Sequence, residues 1–239
     1  MRNAAAVNLL NPAAYSAVRP KSFLFDFGLE GQCFYNSQKY YGQTLNTSYY
    51  TVNFHDIAFQ LPIAKHLGLG FSLTPYSSVG YRMKQEVDDD EIWGNIGRVQ
   101  YQWDGDGDVT EVKLGLGWEI FRGFSIGIAA QYYWGDIQRI YKTAILENIT
   151  GGGLIADATG TETYSVSRFK GQFGVQWSPI SNRRRILTIG ATYDIGGDLN
   201  PNVTTKVQTG DIFNTVAMDM GNRLGLKLPQ QVAVGIYYN

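Results

Sequence analysis

Two consecutive segments of this chain alternate large apolar residues with small or polar ones, and this pattern constrains the fold most. Apolar side chains take every second position from Val112 to Ile120, and again from Phe124 to Trp134. A repeat of two residues indicates extended strands, because successive side chains point to opposite faces of a sheet. The Arg122-Gly123 pair between the segments predicts a tight turn, so we expect a β-hairpin with one apolar face.

The length and the two faces of this hairpin indicate a wall that spans a membrane. From Phe124 to Trp134 the strand rises roughly 3.3 Å per residue, and at a tilt of about 40° it covers about 25 Å. That is the height of the lipid-facing band of an outer-membrane barrel, which carries aromatic residues at both borders. The opposite face consists of glycine, alanine, serine, glutamine, tyrosine, lysine and glutamate, as expected for a wet lumen.

Composition narrows the classes of function. The net charge of −1 provides no basic field for nucleic acid, so we expect no nucleic-acid partner. Cys33 is alone, and His55 and His66 lack the spacing of a metal pair. Without a nucleophile–base pair, a phosphate loop or zinc spacing in the sequence, we predict no enzymatic activity, no cofactor and no metal site.

Similar alternation elsewhere predicts an all-β fold, an antiparallel transmembrane barrel with about eight or nine strands present and therefore incomplete. We assign residues 1–21 to an N-terminal segment leading from a plug that the chain lacks, and residues 22–239 to the barrel. The predicted short turns are 62–65, 122–123, 178–183 and 220–229, and the predicted long loops are 35–48, 82–109, 140–163 and 195–203. Such asymmetry is typical of short periplasmic turns and long extracellular loops.

The two ends of the chain predict that it is a fragment. Its first residues lack the apolar core of a signal peptide, although a barrel reaches the outer membrane only by export. The last alternating segment stops at Asn239 in the middle of its pattern. We therefore expect further sequence at both ends, and a bacterial outer-membrane location.

Three sequence elements resemble the FadL family of outer-membrane transporters for hydrophobic compounds, in its Bacteroidetes-type branch. Asn11-Pro12-Ala13 stands about ten residues before the first predicted strand, where family members carry this tripeptide between plug and barrel. Residues 59–73 resemble the second strand, the turn and the third strand of the family. Residues 74–81 follow where the family has a kink that opens the wall sideways.

This resemblance implies passive uptake of fatty-acid-like molecules, with lateral exit at a kink formed by Thr74, Pro75, Tyr76 and Ser77. Proline cannot donate to a strand ladder, so inside a barrel wall Pro75 would mark a bulge or a gap. The alternative is that the third strand rises above the membrane here, where proline is harmless. The implied partners are membrane lipid, lipopolysaccharide and a hydrophobic small molecule, and we expect a monomer.

Charged residues on the polar faces of the strands are predicted to face the lumen: Asp26, Glu30, Asp56, Lys113, Glu119 and Lys170. They either line a route for the ligand or pair with each other, since charges in a lumen need neutralising partners. Asp104, Asp106 and Asp108 resemble the start of a calcium loop, but Val109 and Gly115 stand where such a loop needs glycine and glutamate. We therefore predict a glycine-rich hairpin there.

The sequence is also compatible with two alternatives to a transporter. A non-transporting barrel that acts as a surface adhesin or a secretion scaffold would explain the long acidic loops. A soluble barrel or sandwich would bury the aromatic face that the alternation defines, and aromatic residues at both ends of a band of about 25 Å disfavour it.

Overall fold

The computed structural model describes residues 6–40, 42–87, 89–95, 97–148, 157–182, 185–199, 201–209, 212–216 and 227–238. Two short helices are present in this part of the chain: the 3-10 helix Pro12–Ala17 and α1, Asp90–Asn95. The strands are β1 Leu24–Tyr40, β2 Gln43–Ala64, β3 Leu67–Glu86, β4 Gly97–Phe121, β5 Phe124–Asn148, β6 Ala158–Ser181, β7 Ile186–Asp194, β8 Gly197–Asp198, β9 Asn202–Thr209, β10 Ile212–Val216, β11 Lys227–Leu228 and β12 Gln231–Tyr238.

Ten of the described strands, all except β8 and β11, form one curled antiparallel sheet that resembles half of a barrel. Its order is β1-β2-β3-β4-β5-β6-β7-β12, and β9 with β10 continues the sheet beside the first half of β6. Within the described residues, β1 pairs only with β2 and β12 pairs only with β7, so this part of the sheet does not close. The predicted all-β, antiparallel and incomplete barrel is thereby confirmed.

The two faces of the sheet differ as in a membrane barrel, with large apolar side chains on the outer side and small residues on the inner side. On β4, Leu114, Leu116 and Trp118 point outward and are at least two-fifths exposed, whereas Gly115 and Gly117 are buried on the inner side. We call the outer side the convex face and the inner side the concave face. A soluble barrel or sandwich would require the opposite arrangement, because its apolar face must leave water.

Aromatic residues mark the two borders of the apolar band. Phe121 and Phe124 stack with their ring centroids 4.8 Å apart beside the β4–β5 turn. At the other border, which we call the outer aromatic border, Tyr132 contacts both Trp134 and Phe169, with centroid separations of 5.8 Å and 4.5 Å. These are the positions at which barrels carry their aromatic girdles.

Several predicted loops are wrong, because the strands continue far beyond the outer aromatic border. The β1–β2 pairing extends to Tyr40 and Gln43, within the predicted loop 35–48. The predicted loop 82–109 is mostly strand, and Asp104, Asp106 and Asp108 lie inside β4 rather than in a hairpin turn. Where both faces of a strand meet water, polar and tyrosine-rich sequence pairs without apolar alternation, so the pattern does not detect it.

The other predicted connections have mixed outcomes. The turn at 122–123 is confirmed, and the turn at 62–65 is displaced to Lys65 and His66. The loop at 140–163 is shorter than predicted, because β5 ends at Asn148 and β6 begins at Ala158. Residues 149–156 of the loop at 140–163, residue 183 of the turn at 178–183, and residues 220–226 of the turn at 220–229 lie outside the described residues.

On one side of β6 the partner strand changes from β9 to β7. β6 pairs with β9 up to Ser165 and with β7 only from Gln172, so the stretch between them lacks a strand partner on that side. Residues 195–199 of the predicted loop 195–203 leave the wall here and contain β8, which pairs with β11 as a separate two-stranded ribbon. Residues 202 and 203 instead belong to β9 in the wall, and residue 200 lies outside the described residues. Of the helices in the described ranges, none is long and apolar enough to cross a membrane.

Candidate functional site on the concave face

The N-terminal segment, residues 6–20, lies against the concave face. It rests on glycines of β3, β4, β5 and β6, which we call the glycine floor: Gly68, Gly70, Gly115, Gly117, Gly127 and Gly174. A Cβ atom on Gly70 would lie 2.6 Å from ring carbons of Tyr15, and one on Gly117 would overlap the carbonyl oxygen of Pro12. The face of small residues that was predicted to line a wet lumen is therefore covered by the N-terminal segment.

Asn11 fixes this segment to the wall. Its Nδ2 donates to the carbonyl oxygens of Val175 and Ala191, at 3.2 Å and 3.3 Å, which are register partners on β6 and β7. Its Oδ1 accepts from the backbone N–H of Ala13 at 2.9 Å and so caps the 3-10 helix. One side chain thus ties the helix start to two strands, and Pro12 follows where its missing N–H costs nothing.

Further polar contacts hold both ends of the segment. Gln60 Nε2 donates to the carbonyl oxygen of Asn8 at 3.1 Å, and Lys113 Nζ donates to that of Leu9 at 3.1 Å. The Ser16 and Ser125 hydroxyls lie 2.9 Å apart beneath the helix. Because these groups are buried, losing a partner would leave an unsatisfied polar group, which is costly.

Tyr15 fills the space over the glycine floor and is 2% exposed. Its burial raises the pKa of the phenol well above the ordinary value, and the nearby Glu111 carboxylate adds to the increase. The phenol therefore stays neutral at physiological pH. A neutral buried ring here packs the segment against the wall without introducing a charge.

The predicted lumen residues of β1 and β2 lie on the concave side in register. Asp26 pairs with Ala58, which is fully buried, and Gln32 Nε2 donates to Glu30 at 2.6 Å. Asp56 is buried beside a bulge, and its Oδ1 lies 2.6 Å from Nδ1 of His55.

The lumen residues predicted on β4 and β6 serve separate contacts. Lys113 Nζ lies 3.3 Å from Glu111 Oε1, in addition to its bond to the N-terminal segment. Glu119 accepts from the Gly123 N–H at 2.9 Å and lies 3.0 Å from Nδ1 of His66, so it braces the turns at the inner border. Lys170 pairs in register with Gln131. The six residues do not converge on one site.

The predicted kink coincides with an opening of the wall. β2 and β3 pair only up to Ile57 and Leu73, although both strands continue. β3 remains paired with β4 along its whole length, and a bulge lies between Pro75 and Ser77. The opening therefore begins next to Thr74 and Pro75 and extends from there towards Glu86 at the end of β3. Pro75 is aligned through β4 with Trp134, which places the start of the opening near the outer aromatic border.

The bulge turns Tyr76 towards an apolar cluster on the concave side. Its ring meets that of Tyr133 edge-on at 4.8 Å between centroids. Tyr133 packs with Val109 and Val166, and the ribbon residue Leu228 covers part of the cluster. Of the predicted kink residues, Thr74 and Ser77 lie in register with Glu111 and Val109 respectively.

Sequence reasoning missed the contacts of the N-terminal segment and the apolar cluster. The glycines of the floor were visible as small residues, but nothing in them indicated which segment would occupy the space. Tyr133 occupies a position on the polar face of its strand, where a tyrosine gives no apolar signal. In the described ranges, no group of three or more His, Cys, Asp or Glu side chains is placed to hold a metal ion.

Comparison with known proteins identifies the family. No curated protein matches the chain. The sequence model of the BamG family matches residues 1–239, the whole chain. BamG is an outer-membrane-associated family, which agrees with the barrel-type fold, whereas the FadL resemblance receives no support from this match. The protein belongs to the BamG family.

Proposed function

We propose that this protein is a non-transporting outer-membrane barrel that serves as a scaffold for other polypeptides. The observation that carries the proposal is the N-terminal segment, which covers the glycine floor of the concave face and is held by hydrogen bonds from the buried side chains of Asn11, Gln60 and Lys113. A channel along the whole of this face needs a path over the glycine floor, and residues of the N-terminal segment occupy that place.

The chemistry of the concave face also supports a scaffold over a hydrophobic channel. Around the N-terminal segment the wall presents buried polar side chains, among them Gln131, Gln172 and Gln176. An apolar molecule on such a surface would face polar side-chain atoms, among them Gln172 Oε1 and Gln176 Oε1, without hydrogen-bonding them, which is unfavourable. Long strands that rise beyond the outer aromatic border, by contrast, provide a large surface for other proteins.

The second candidate is the passive uptake of hydrophobic small molecules, with lateral exit at the kink. One observation favours it: the opening between β2 and β3 begins beside the apolar cluster of Tyr76 and Tyr133. A molecule bound at this cluster would reach the opening without crossing the N-terminal segment. Thr74, Pro75, Tyr76 and Ser77 would then line its exit.

One experiment separates the two candidates. In cells that lack this protein, a scaffold predicts altered amounts of other outer-membrane proteins and unchanged uptake of a fluorescent fatty acid. Restoring the chain with Pro75→Val should then return those amounts to normal. A channel predicts reduced uptake in the deletion strain and in the Pro75→Val variant, and normal uptake with Pro20→Val, an exposed proline outside the wall. That second result would contradict the scaffold.

A further inference from the structure

The opening between β2 and β3 continues as a cleft whose two sides are unpaired strand edges. Residues 43–56 of β2 pair with β1, and residues 74–86 of β3 pair with β4. Neither stretch has a second strand partner within the described part of the chain. Two rows of backbone N–H and C=O groups therefore border the same space. An unpaired edge of this kind is a template for another strand.

The cleft is large enough for a polypeptide. At its outer end, between Gln38 and Leu45 on one side and residues 82–86 on the other, the cleft holds a cavity of about 1220 Å³. At about 3.3 Å per residue, either edge is roughly 40 Å long. Leu45 from β2, Met83 from β3 and Trp103 from β4 supply apolar contacts within it.

Three charged side chains line the cleft, and two of them, Arg82 and Glu86, are in ion pairs, whereas Lys84 is the third. Arg82 donates to Asp104 at 3.0 Å, and Glu86 accepts from Arg98 at 2.8 Å. The edge of β2 contributes mainly threonine, asparagine, serine and tyrosine. The cleft therefore offers its occupant backbone pairing and apolar contacts along its edges, with Lys84 as a single further charge.

We propose that this cleft binds an extended polypeptide strand of a partner protein, paired with β2 on one side and with β3 on the other. The proposal rests on the scaffold function and names the chemistry of its partner: a largely uncharged strand with apolar side chains at alternate positions. A lipid chain fits less well, because it offers nothing to the backbone groups of the two edges. An added strand can form hydrogen bonds with both rows of backbone N–H and C=O groups at once.

The first test is photo-crosslinking in cells, with a photoreactive phenylalanine placed at Leu45 or at Met83. We expect both positions to crosslink neighbouring residues of one extended segment in one polypeptide. The control position is Tyr35, which is exposed on β1 and does not line the cleft. Crosslinks to lipid alone, or to unrelated segments from the two positions, would overturn the proposal.

The second test asks whether the edges simply close on each other. In a Cys33→Ser background, the pair Leu45→Cys and Met83→Cys should stay reduced in cells, because a bound strand separates the edges. In the purified complex, alternate amides of residues 43–56 and 74–86 should exchange more slowly than in the isolated protein by at least about tenfold. Rapid disulfide formation, or equal exchange in both samples, would contradict strand binding.

A charge variant separates this proposal from the scaffold function itself. Leu45→Lys with Met83→Lys places charges in the cleft at two exposed positions, so the fold should persist. If strand binding is correct, this variant should lose the slowed amide exchange of residues 43–56 and 74–86 and share the outer-membrane defect of the deletion strain. A normal outer membrane with this variant, but not with the deletion, would overturn strand binding alone. A normal outer membrane in the deletion strain would overturn the scaffold.

Discussion

Replacing Gly174 by valine is expected to displace the N-terminal segment and to destabilise the protein by about 1–3 kcal/mol, the usual range for overpacking a filled site. Gly174 lies on β6 beneath Asn11, and a Cβ at this position would overlap Asn11 Oδ1 and lie 2.8 Å from Cδ of Pro12. The Asn11 bonds to Val175 and Ala191 would then break as well. The loss should therefore reach the upper part of that range.

Gly160→Val is the matched control, because it adds the same side chain to the same strand. No heavy atom lies within 4 Å of a Cβ built at Gly160, and valine favours strands. Urea unfolding in detergent and limited proteolysis near the N-terminus measure the two expected effects. Equal stability of the two variants, with an equally protected N-terminus, would show that the segment does not need the glycine floor.

Ile128→Lys is expected to destabilise the membrane-inserted protein by about 2–4 kcal/mol, as for a cation on the lipid face of a barrel near the bilayer midplane. Ile128 lies midway between Phe124 and Trp134 on β5, is 55% exposed on the convex face and pairs with Leu116 and Phe173. A lysine there would place its charge in hydrocarbon, far from either border. Less protein should reach the outer membrane, and unfolding from vesicles should need less urea.

Gln138→Lys provides the comparison on the same strand. Gln138 is exposed and lies beyond Trp134, on the water side of the outer border. A lysine at this position should leave both the urea midpoint and the amount in the outer membrane unchanged. Similar behaviour of the two lysine variants would mean that the convex face does not meet lipid.

The sequence predicted the fold where strands cross the apolar band. The alternation from Val112 to Trp134 corresponds to the β4–β5 pairing, and the turn at 122–123 lies where it was predicted. The parts of β4 and β5 that lie beyond the outer aromatic border were mostly predicted as loops. In water both faces of a strand can be polar, so nothing in the sequence from Tyr35 to Ser48 distinguishes strand from loop.

The candidate site was predictable only in part. Pro75 indicated an irregular strand, and the bulge and the opening both lie there. The position of the N-terminal segment on the glycine floor could not be predicted, because it depends on contacts between residues that are distant in the sequence. Asn11 bonds to Val175 across 164 positions of the chain, and a single sequence gives no signal for such a pair. The cleft likewise emerges only when the partners of β2 and β3 are known.

The most direct test of the account is lipid exposure along β5. Single cysteines at Ile128, Ala129, Ala130 and Gln131, in a Cys33→Ser background, would carry a fluorophore that nitroxide-labelled lipids quench. Because convex and concave positions alternate, we predict strong quenching at residues 128 and 130 and weak quenching at 129 and 131. Uniform quenching, or quenching by a water-soluble agent alone, would contradict a barrel wall whose apolar face lies in the outer membrane.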